Sequence, residues 1–277
     1  MDTILPSQPC GYAELIKRSF RLYNISFAKV ALLSLMLSII IFIPRLISDF
    51  VGQEIMANIP AISWHRLWIT GIHFIGLFFF IAIIWHMYCL TQERREPFME
   101  DLRVGAKKVF YVFVATILQS LVVVALILLI FEINIYLHQY NYLPISGEGW
   151  ILTGIFLIAE TFVTLYVSTL FIFLIPLIAI ENKGIVGSLE RSVYLSWNHW
   201  WRIFSAQVTP WICYYFILYF LKFGLKINIH LYFIEHGSHP LWSSLLNILV
   251  FAVFIPWVPA LLLVQLKDLE LRKHITV

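Results

Sequence analysis

Charged residues are scarce in this chain: Asp, Glu, Lys and Arg make up 13% of its 277 residues, against roughly 25% in an ordinary soluble domain. Hydrophobic residues make up 61%, more than a soluble fold of this length can hide from water. The formal net charge of +3 is too small to indicate a surface for nucleic acid. The composition therefore predicts a membrane protein with no nucleic-acid partner.

Motifs that hold cofactors or carry out catalysis are also missing. The chain has no HEXXH, no glycine-rich phosphate loop, no GxSxG and no paired carboxylates within one apolar segment. Its three cysteines, Cys10, Cys89 and Cys213, have neither metal-ligand spacing nor the pattern of a disulfide framework. The first residues also lack the features of a cleavable secretory signal. The sequence therefore predicts no enzyme, no cofactor and no metal, and a first apolar helix that is retained.

Long apolar runs are what the chain has instead. A helix crosses a hydrocarbon core of about 30 Å with about 20 apolar residues, and residues 109–131 contain no charged side chain at all. Similar runs predict six transmembrane helices, at 27–47, 67–90, 109–131, 151–180, 203–221 and 242–266. The predicted fold is all-α, a single polytopic domain over residues 1–277 with its six helices in three hairpins.

Prolines predict interruptions in two of these helices. Pro176 lies near the end of the fourth span, where it predicts a kink or a re-aimed last turn. Pro256 and Pro259 lie inside the sixth span and resemble a helix break of the kind that lines transporter cavities.

Lys and Arg are concentrated in alternate connections. The N-terminal segment, the second and fourth connections and the C-terminal tail are rich in them, whereas the third connection, 132–150, has none. By the positive-inside rule, both termini are predicted to be cytoplasmic.

Three basic segments that precede the odd-numbered spans resemble one another. They read AELIKRSFRLYNISF, MEDLRVGAKKVFYVF and GSLERSVYLSWNHWWRIF, from positions 13, 99 and 187. Each is amphipathic, which predicts three helices lying in the cytoplasmic interface. Arg18, Arg103 and Arg191 recur in them at separations of 85 and 88 residues. This spacing suggests three repeats, at 1–91, 92–180 and 181–277.

Residues 174–204, LIPLIAIENKGIVGSLERSVYLSWNHWWRIF, resemble a known family. The family comprises the YciC-like bacterial inner-membrane proteins and the membrane domain attached to some glycerophosphodiester phosphodiesterases. The residues that carry the resemblance are Pro176, Glu181, Ser192, Trp197, Trp201 and Arg202. The C-terminal LLLVQLKDLELRK is similar to the way family members leave the membrane. The resemblance implies a six-helix domain of the bacterial inner membrane that has no catalytic domain of its own.

Glu160 is the most informative polar residue, because it lies about ten residues into the fourth predicted span. It is interpreted either as a functional group, namely a proton or cation site or a counter-ion to Arg45, or as a carboxyl that fixes helix packing.

His73 and His86 are interpreted as packing or interface histidines. Whether His230, Glu235, His236 and His239 bind a metal stays open, because their spacing matches no zinc motif.

The WNHWWR run is typical of a membrane anchor, because Trp prefers the headgroup level and Arg pairs with lipid phosphate. Together with Arg191, its residues Trp197, Trp201 and Arg202 are candidates for a phospholipid-headgroup contact. The alternative interpretation is a generic aromatic belt.

Two function classes remain from the sequence. The first is an accessory or structural protein in membrane lipid or envelope homeostasis, whose partners are membrane lipids and, as an open alternative, another membrane protein. The second is a small-solute or lipid transporter with a pathway near Glu160. A transporter should contain a polar cavity that reaches Glu160, whereas an accessory protein should have a packed centre or a lipid-filled groove.

Overall fold

The computed structural model describes residues 4–51, 64–94, 96–139, 149–181, 184–227, 229, 231 and 241–275. All regular elements in these ranges are helical. The α-helices are α1 Tyr12–Val51, α2 Trp64–Thr91, α3 Phe98–Gln139, α4 Gly149–Leu170, α5 Leu174–Glu181, α6 Ile185–Ser196, α7 Trp200–Tyr219, α8 Leu241–Phe254 and α9 Trp257–Ile275. A π-helical turn, Phe220–Gly224, extends α7.

Six helical segments in the described ranges are long and apolar enough to cross a membrane, which confirms the predicted number. They are Tyr12–Pro44, Gly71–Thr91, Phe98–Ile133, Gly154–Glu181, Trp200–Gly224 and Leu241–Lys273. The protein is therefore a polytopic all-α membrane protein, as its apolar runs predict.

One face of α1 forms the centre of the bundle. Leucines on this face are completely buried, and so are four serines that alternate with them, Ser19, Ser26, Ser34 and Ser38. Small serine side chains allow neighbouring helices to approach closely inside a membrane. Accordingly, α1 packs against α2, α8 and α9.

The predicted break in the last span is confirmed at Pro256, since α8 ends shortly before this residue and α9 begins directly after it. Because proline has no N–H, the carbonyl of Ala252 loses its helical donor. The Ser34 hydroxyl of α1 donates to that carbonyl instead. The Tyr23 hydroxyl donates to the neighbouring carbonyl of Val253 at 2.9 Å. Side chains of α1 thus stabilise the break.

The kink predicted from Pro176 is also confirmed, since α4 ends at Leu170 and α5 begins at Leu174. The N–H of Leu174 donates to the carbonyl of Phe171, so the Leu170 carbonyl is left without this helical donor. The Ser192 hydroxyl of α6 donates to the Leu170 carbonyl at 2.8 Å. The kink therefore also provides the attachment point of α6.

The structure corrects the prediction of interfacial helices at positions 13 and 99. Neither segment is a separate element, because α1 and α3 each continue without a break into the following span. The 40 residues of α1 extend about 60 Å at about 1.5 Å per residue. No proline separates the amphipathic part from the apolar part, and the two parts form one continuous helix in each case.

The third amphipathic segment does form its own helix, α6. Ser188, Ser192 and Leu195 of α6 are buried against the bundle. A turn follows in which Asn198 adopts a φ of 68°, a left-handed conformation that Asn tolerates better than most residues. The location of α6 in a membrane interface remains a prediction.

Candidate functional site

Asp268 of α9 is the centre of an ionic cluster at one end of the bundle, where its carboxylate is 1% exposed. Oδ2 accepts from Arg202 Nη2 of α7 at 3.1 Å and from Arg272 Nε at 3.0 Å. Oδ1 accepts from the backbone N–H of Cys10 at 2.8 Å. The same two guanidinium groups donate to the Cys10 carbonyl at 2.6 and 2.7 Å. This Asp268 cluster fastens the N-terminal segment to α7 and α9.

Arg191 of α6 forms a second cluster nearby. Its Nη2 lies 2.9 Å from Glu181 Oε1 of α5 and 2.7 Å from Glu270 Oε1 of α9. Lys267 Nζ lies 3.4 Å from the other oxygen of Glu270. This Arg191 cluster joins three helices through one guanidinium group, and we call the two clusters together the ionic end.

Burial and the nearby Asp268 carboxylate together raise the pKa of the Cys10 thiol to about 11, although Arg202 and Arg18 act in the opposite direction. The thiol is therefore protonated at neutral pH, whereas the nucleophilic form of cysteine is the thiolate. Burial also lowers the pKa of His199, with a further contribution from the cations Lys273 and Arg272. Neither group has the properties of a catalytic nucleophile or of a cation at neutral pH.

A buried polar pair joins α2 to α3. His86 Nδ1 lies 2.7 Å from Asp101 Oδ2, and the two side chains are 10% and 1% exposed. Beside them, Trp85 Nε1 donates to Glu96 Oε2 at 2.9 Å. Within the described ranges, no group of three or more His, Cys, Asp or Glu converges as metal ligands would. The contacts of these residues are those of side chains that hold two helices together.

An apolar cavity of about 630 Å³ lies away from the ionic end. Its walls come from the second half of α1, the first half of α2 and the middle of α3. Trp211 of α7, Phe251 of α8 and Ile255 from the break between α8 and α9 complete the lining. The ionic end, by contrast, lies near the last turn of α2, where Thr91 and Gln92 share a smaller cavity with Lys267 and Glu270. The bundle is thus polar and packed at one end and hollow and apolar towards the other.

Few groups in the apolar cavity can bind a polar ligand. His73, Thr116 and Ser120 are the only lining residues with an imidazole or hydroxyl group. Both hydroxyls donate back to their own helix, Thr116 to the Phe113 carbonyl at 2.8 Å and Ser120 to the Thr116 carbonyl at 2.9 Å. Because both hydroxyl protons are donated within α3, the polar groups left to a ligand are few, and most of the cavity surface is aliphatic or aromatic.

The structure brings four of the predicted site residues to the ionic end. Arg191 and Arg202 both contact carboxylates of α9. Trp197 and Trp201 remain 52% and 63% exposed. The indoles are thus accessible at the surface, and their role as a membrane anchor stays a prediction. The arginines, in contrast, already have carboxylate partners, with which a lipid phosphate has to compete.

The predicted pair of Glu160 and Arg45 is not brought together by anything that the structure describes. Glu160 lies half-exposed on α4 and makes no hydrogen bond or ion pair with a described residue. Arg45 belongs to α1, but its side chain lies outside the described residues. The same is true of the candidate metal residues His230, Glu235, His236 and His239. These predictions therefore remain predictions.

The sequence interpretation missed Asp268 and Glu270 as centres of the two clusters. One local signal was available, because Asp268 and Arg272 are four residues apart on a helix and can pair. The other partners are distant along the chain: 66 residues separate Arg202 from Asp268, and 79 separate Arg191 from Glu270. Only the packing of the helices shows which charges meet.

No protein family, no curated protein and no solved structure matches this chain.

Proposed function

We propose that this protein is an accessory protein of a bacterial inner membrane that acts in lipid or envelope homeostasis and has no catalytic domain of its own. The observation that carries the proposal is the apolar cavity, because a space between spanning helices that is lined mainly by aliphatic and aromatic side chains offers good contacts to a hydrocarbon chain and few hydrogen bonds to a polar substrate. The resemblance of residues 174–204 to YciC-like proteins supports the same conclusion.

The pairing of charges at the ionic end supports this proposal. Here Asp268, Arg202 and Arg191 each contact other groups of the protein across helix boundaries. Such contacts hold helices in place, as an accessory or scaffold protein requires.

The test is deletion of the gene in its own bacterium, followed by measurement of phospholipid composition and of sensitivity to detergents and to antibiotics that the envelope normally excludes. We expect the deletion to change both, and a plasmid copy to restore them. A Glu160→Gln copy is expected to restore them fully. A deletion strain with unchanged lipids and an intact permeability barrier would contradict the proposal.

A transporter with a pathway near Glu160 is the second candidate, and one observation favours it. Ionisable groups inside a membrane span are costly and are commonly functional, and Glu160 has no structural partner among the described residues. Against it, none of the four cavities whose linings are described includes Glu160. Failure of a normally inserted Glu160→Gln copy to complement the deletion would favour this candidate over the first.

The proposal includes an orientation with both termini in the cytoplasm. Alkaline phosphatase, which is active only outside the cytoplasm, and a fluorescent protein that matures inside it can be fused to each end. Both ends are expected to give fluorescence and no phosphatase activity. Opposite results at the two ends would contradict both the orientation and the even number of spans.

A further inference from the structure

We propose that the apolar cavity is a binding site for one long acyl chain, which enters it sideways from the bilayer. The inference rests on the proposed function and makes it more specific, because it names the class of molecule with which the protein interacts and the residues that contact it.

The size of the cavity fits this ligand. At about 30 Å³ for a group the size of a water molecule or a methylene, the volume of about 630 Å³ holds about 20 such groups. This is the size of one long fatty-acyl chain with some free space. It is too small for both chains of a phospholipid together, so a diacyl lipid would place one chain inside and leave the other in the bilayer.

The chemistry of the lining favours hydrocarbon over water across most of the cavity surface. An apolar cavity stays dry unless it offers a water molecule two to four polar partners. Thr116 and Ser120 donate their hydroxyl protons to carbonyls of α3, and most other lining residues are aliphatic or aromatic. A hydrocarbon chain needs no hydrogen bonds, and in the cavity it gains dispersion contacts with Phe80, Phe113 and Trp211.

The position of the cavity gives a hydrocarbon chain access. All lining residues belong to helical segments that are able to span the membrane. Two of them, Ile41 of α1 and Ile117 of α3, line the cavity and keep 39% and 44% of their surface accessible. Hydrocarbon therefore borders the rim of the cavity, and a chain can enter without crossing the headgroup layer.

Gly76 of α2 allows the cavity to be filled without disturbing its walls. A Cβ at this position would lie 3.7 Å from Leu37 Cδ1, an ordinary van der Waals distance, so a larger side chain has room to extend into the space. Gly154 of α4 is the matched control, since a Cβ there meets no atom within 4 Å and the residue does not line the cavity.

The experiment is photo-crosslinking of the full chain in nanodiscs made of phosphatidylethanolamine and phosphatidylglycerol. One sample contains palmitic acid with a diazirine in its chain, and a second contains phosphatidylglycerol with the same group in one acyl chain. We expect adducts, mapped by mass spectrometry, to be enriched on residues 72–80 and 113–120 relative to the exposed face of α4. Labelling by both probes assigns the site to acyl chains in general, and labelling by palmitic acid alone assigns it to free fatty acids.

Gly76→Leu is expected to reduce the cavity adducts severalfold, whereas Gly154→Leu leaves them unchanged. If Gly76→Leu does not fold, Ser120→Phe fills the same space from α3. Adducts spread evenly over all exposed faces, or cavity adducts that survive a folded filling variant, would overturn the inference. Because the deletion strain reports on lipids and envelope independently, the proposed function can hold while this site fails.

Discussion

At the ionic end of the bundle, charged groups from α5, α6, α7 and α9 and the backbone of Cys10 meet in two clusters with contacts as short as 2.6 Å. Towards the other end, α1, α2 and α3 separate around an apolar cavity of about 630 Å³. The same chain thus has a tightly joined region and a hollow one. The difference teaches that paired charges join four helices at one end, whereas the apolar side chains of α1, α2 and α3 leave a space towards the other.

Removing the carboxylate at the centre of the Asp268 cluster is the strongest way to break this comparison. Asp268→Asn leaves Arg202 and Arg272 without a counter-charge, and loss of one member of a buried ion pair typically costs about 3–5 kcal/mol. We expect a large drop in the midpoint of unfolding, which is measured by tryptophan fluorescence of the protein in detergent. Glu190→Gln, at an exposed position of α6, is the control and should change stability by less than about 0.5 kcal/mol. Equal midpoints for the two variants would mean that the ionic end does not hold the fold together.

The contact between α2 and α3 can be tested at Gly105. A Cβ added there would lie 2.9 Å from the carbonyl oxygen of Phe78 and 3.2 Å from its ring. Overpacking of this kind typically costs about 1–3 kcal/mol, so Gly105→Ala is expected to lower the unfolding midpoint.

Gly154→Ala is the matched control, because its Cβ meets no atom within 4 Å. Alanine is the better helix former by about 0.5–1 kcal/mol, so the control should be neutral or stabilising. A Gly105→Ala protein as stable as the control would show that α2 and α3 move apart easily.

Arg191→Ala tests the Arg191 cluster. Compared with Arg103→Ala, it also tests whether these two arginines of the predicted repeat have equivalent roles. It leaves Glu181 and Glu270 beside each other without the guanidinium between them, at an expected cost of about 1–2 kcal/mol. Arg103→Ala is the control, since Arg103 is 66% exposed and lies 3.6 Å from Glu100. It should cost less than about 0.5 kcal/mol. Similar losses for the two variants would instead favour equivalent roles for these arginines in the repeat.

The smallest expected effect is a dependence on pH through His199. Its pKa is lowered in the folded protein by burial and neighbouring cations, whereas the unfolded chain takes up the proton near pH 6.5. Stability is therefore expected to fall as the pH decreases below about 6.5. The His199→Gln variant should lose less stability than the wild type when the pH falls. The measurement is the change in unfolding midpoint between pH 8 and pH 5.5 for both proteins. A wild-type protein that is relatively more stable at the lower pH than the variant would reverse the sign and contradict the argument.

The number of spans and both proline interruptions could be predicted, because they depend on local properties of the chain. An apolar run predicts a span wherever it is long enough, and Pro176 and Pro256 remove helical donors whatever surrounds them. The interfacial helices at positions 13 and 99 were predicted from amphipathic pattern alone. That pattern indicates which face is polar but gives no information on whether the helix bends before the span.

The candidate site was less predictable, for a different physical reason. Arg191 and Arg202 were identified as functional candidates from their aromatic neighbours, but their partners lie on α9 and become adjacent only when the bundle assembles. The cavity could not be predicted at all. A void depends on the angles and distances at which helices cross, and no residue pattern in α1, α2 or α3 marks it.

The contact between Cys10 and α9 has a consequence for biosynthesis. The two backbone groups of Cys10 bond to side chains that follow it by 258 and 262 residues. A ribosome that makes this chain therefore delivers the first segment long before its binding partners exist. Early helices can enter the translocon in order, yet the Cys10 segment gains its contact with α7 only after Arg202 has been made, and its contacts with α9 only after Asp268 and Arg272 have been made. Completion of the Asp268 cluster is thus a late event, and a nascent chain released before position 268 would lack every contact between Cys10 and α9.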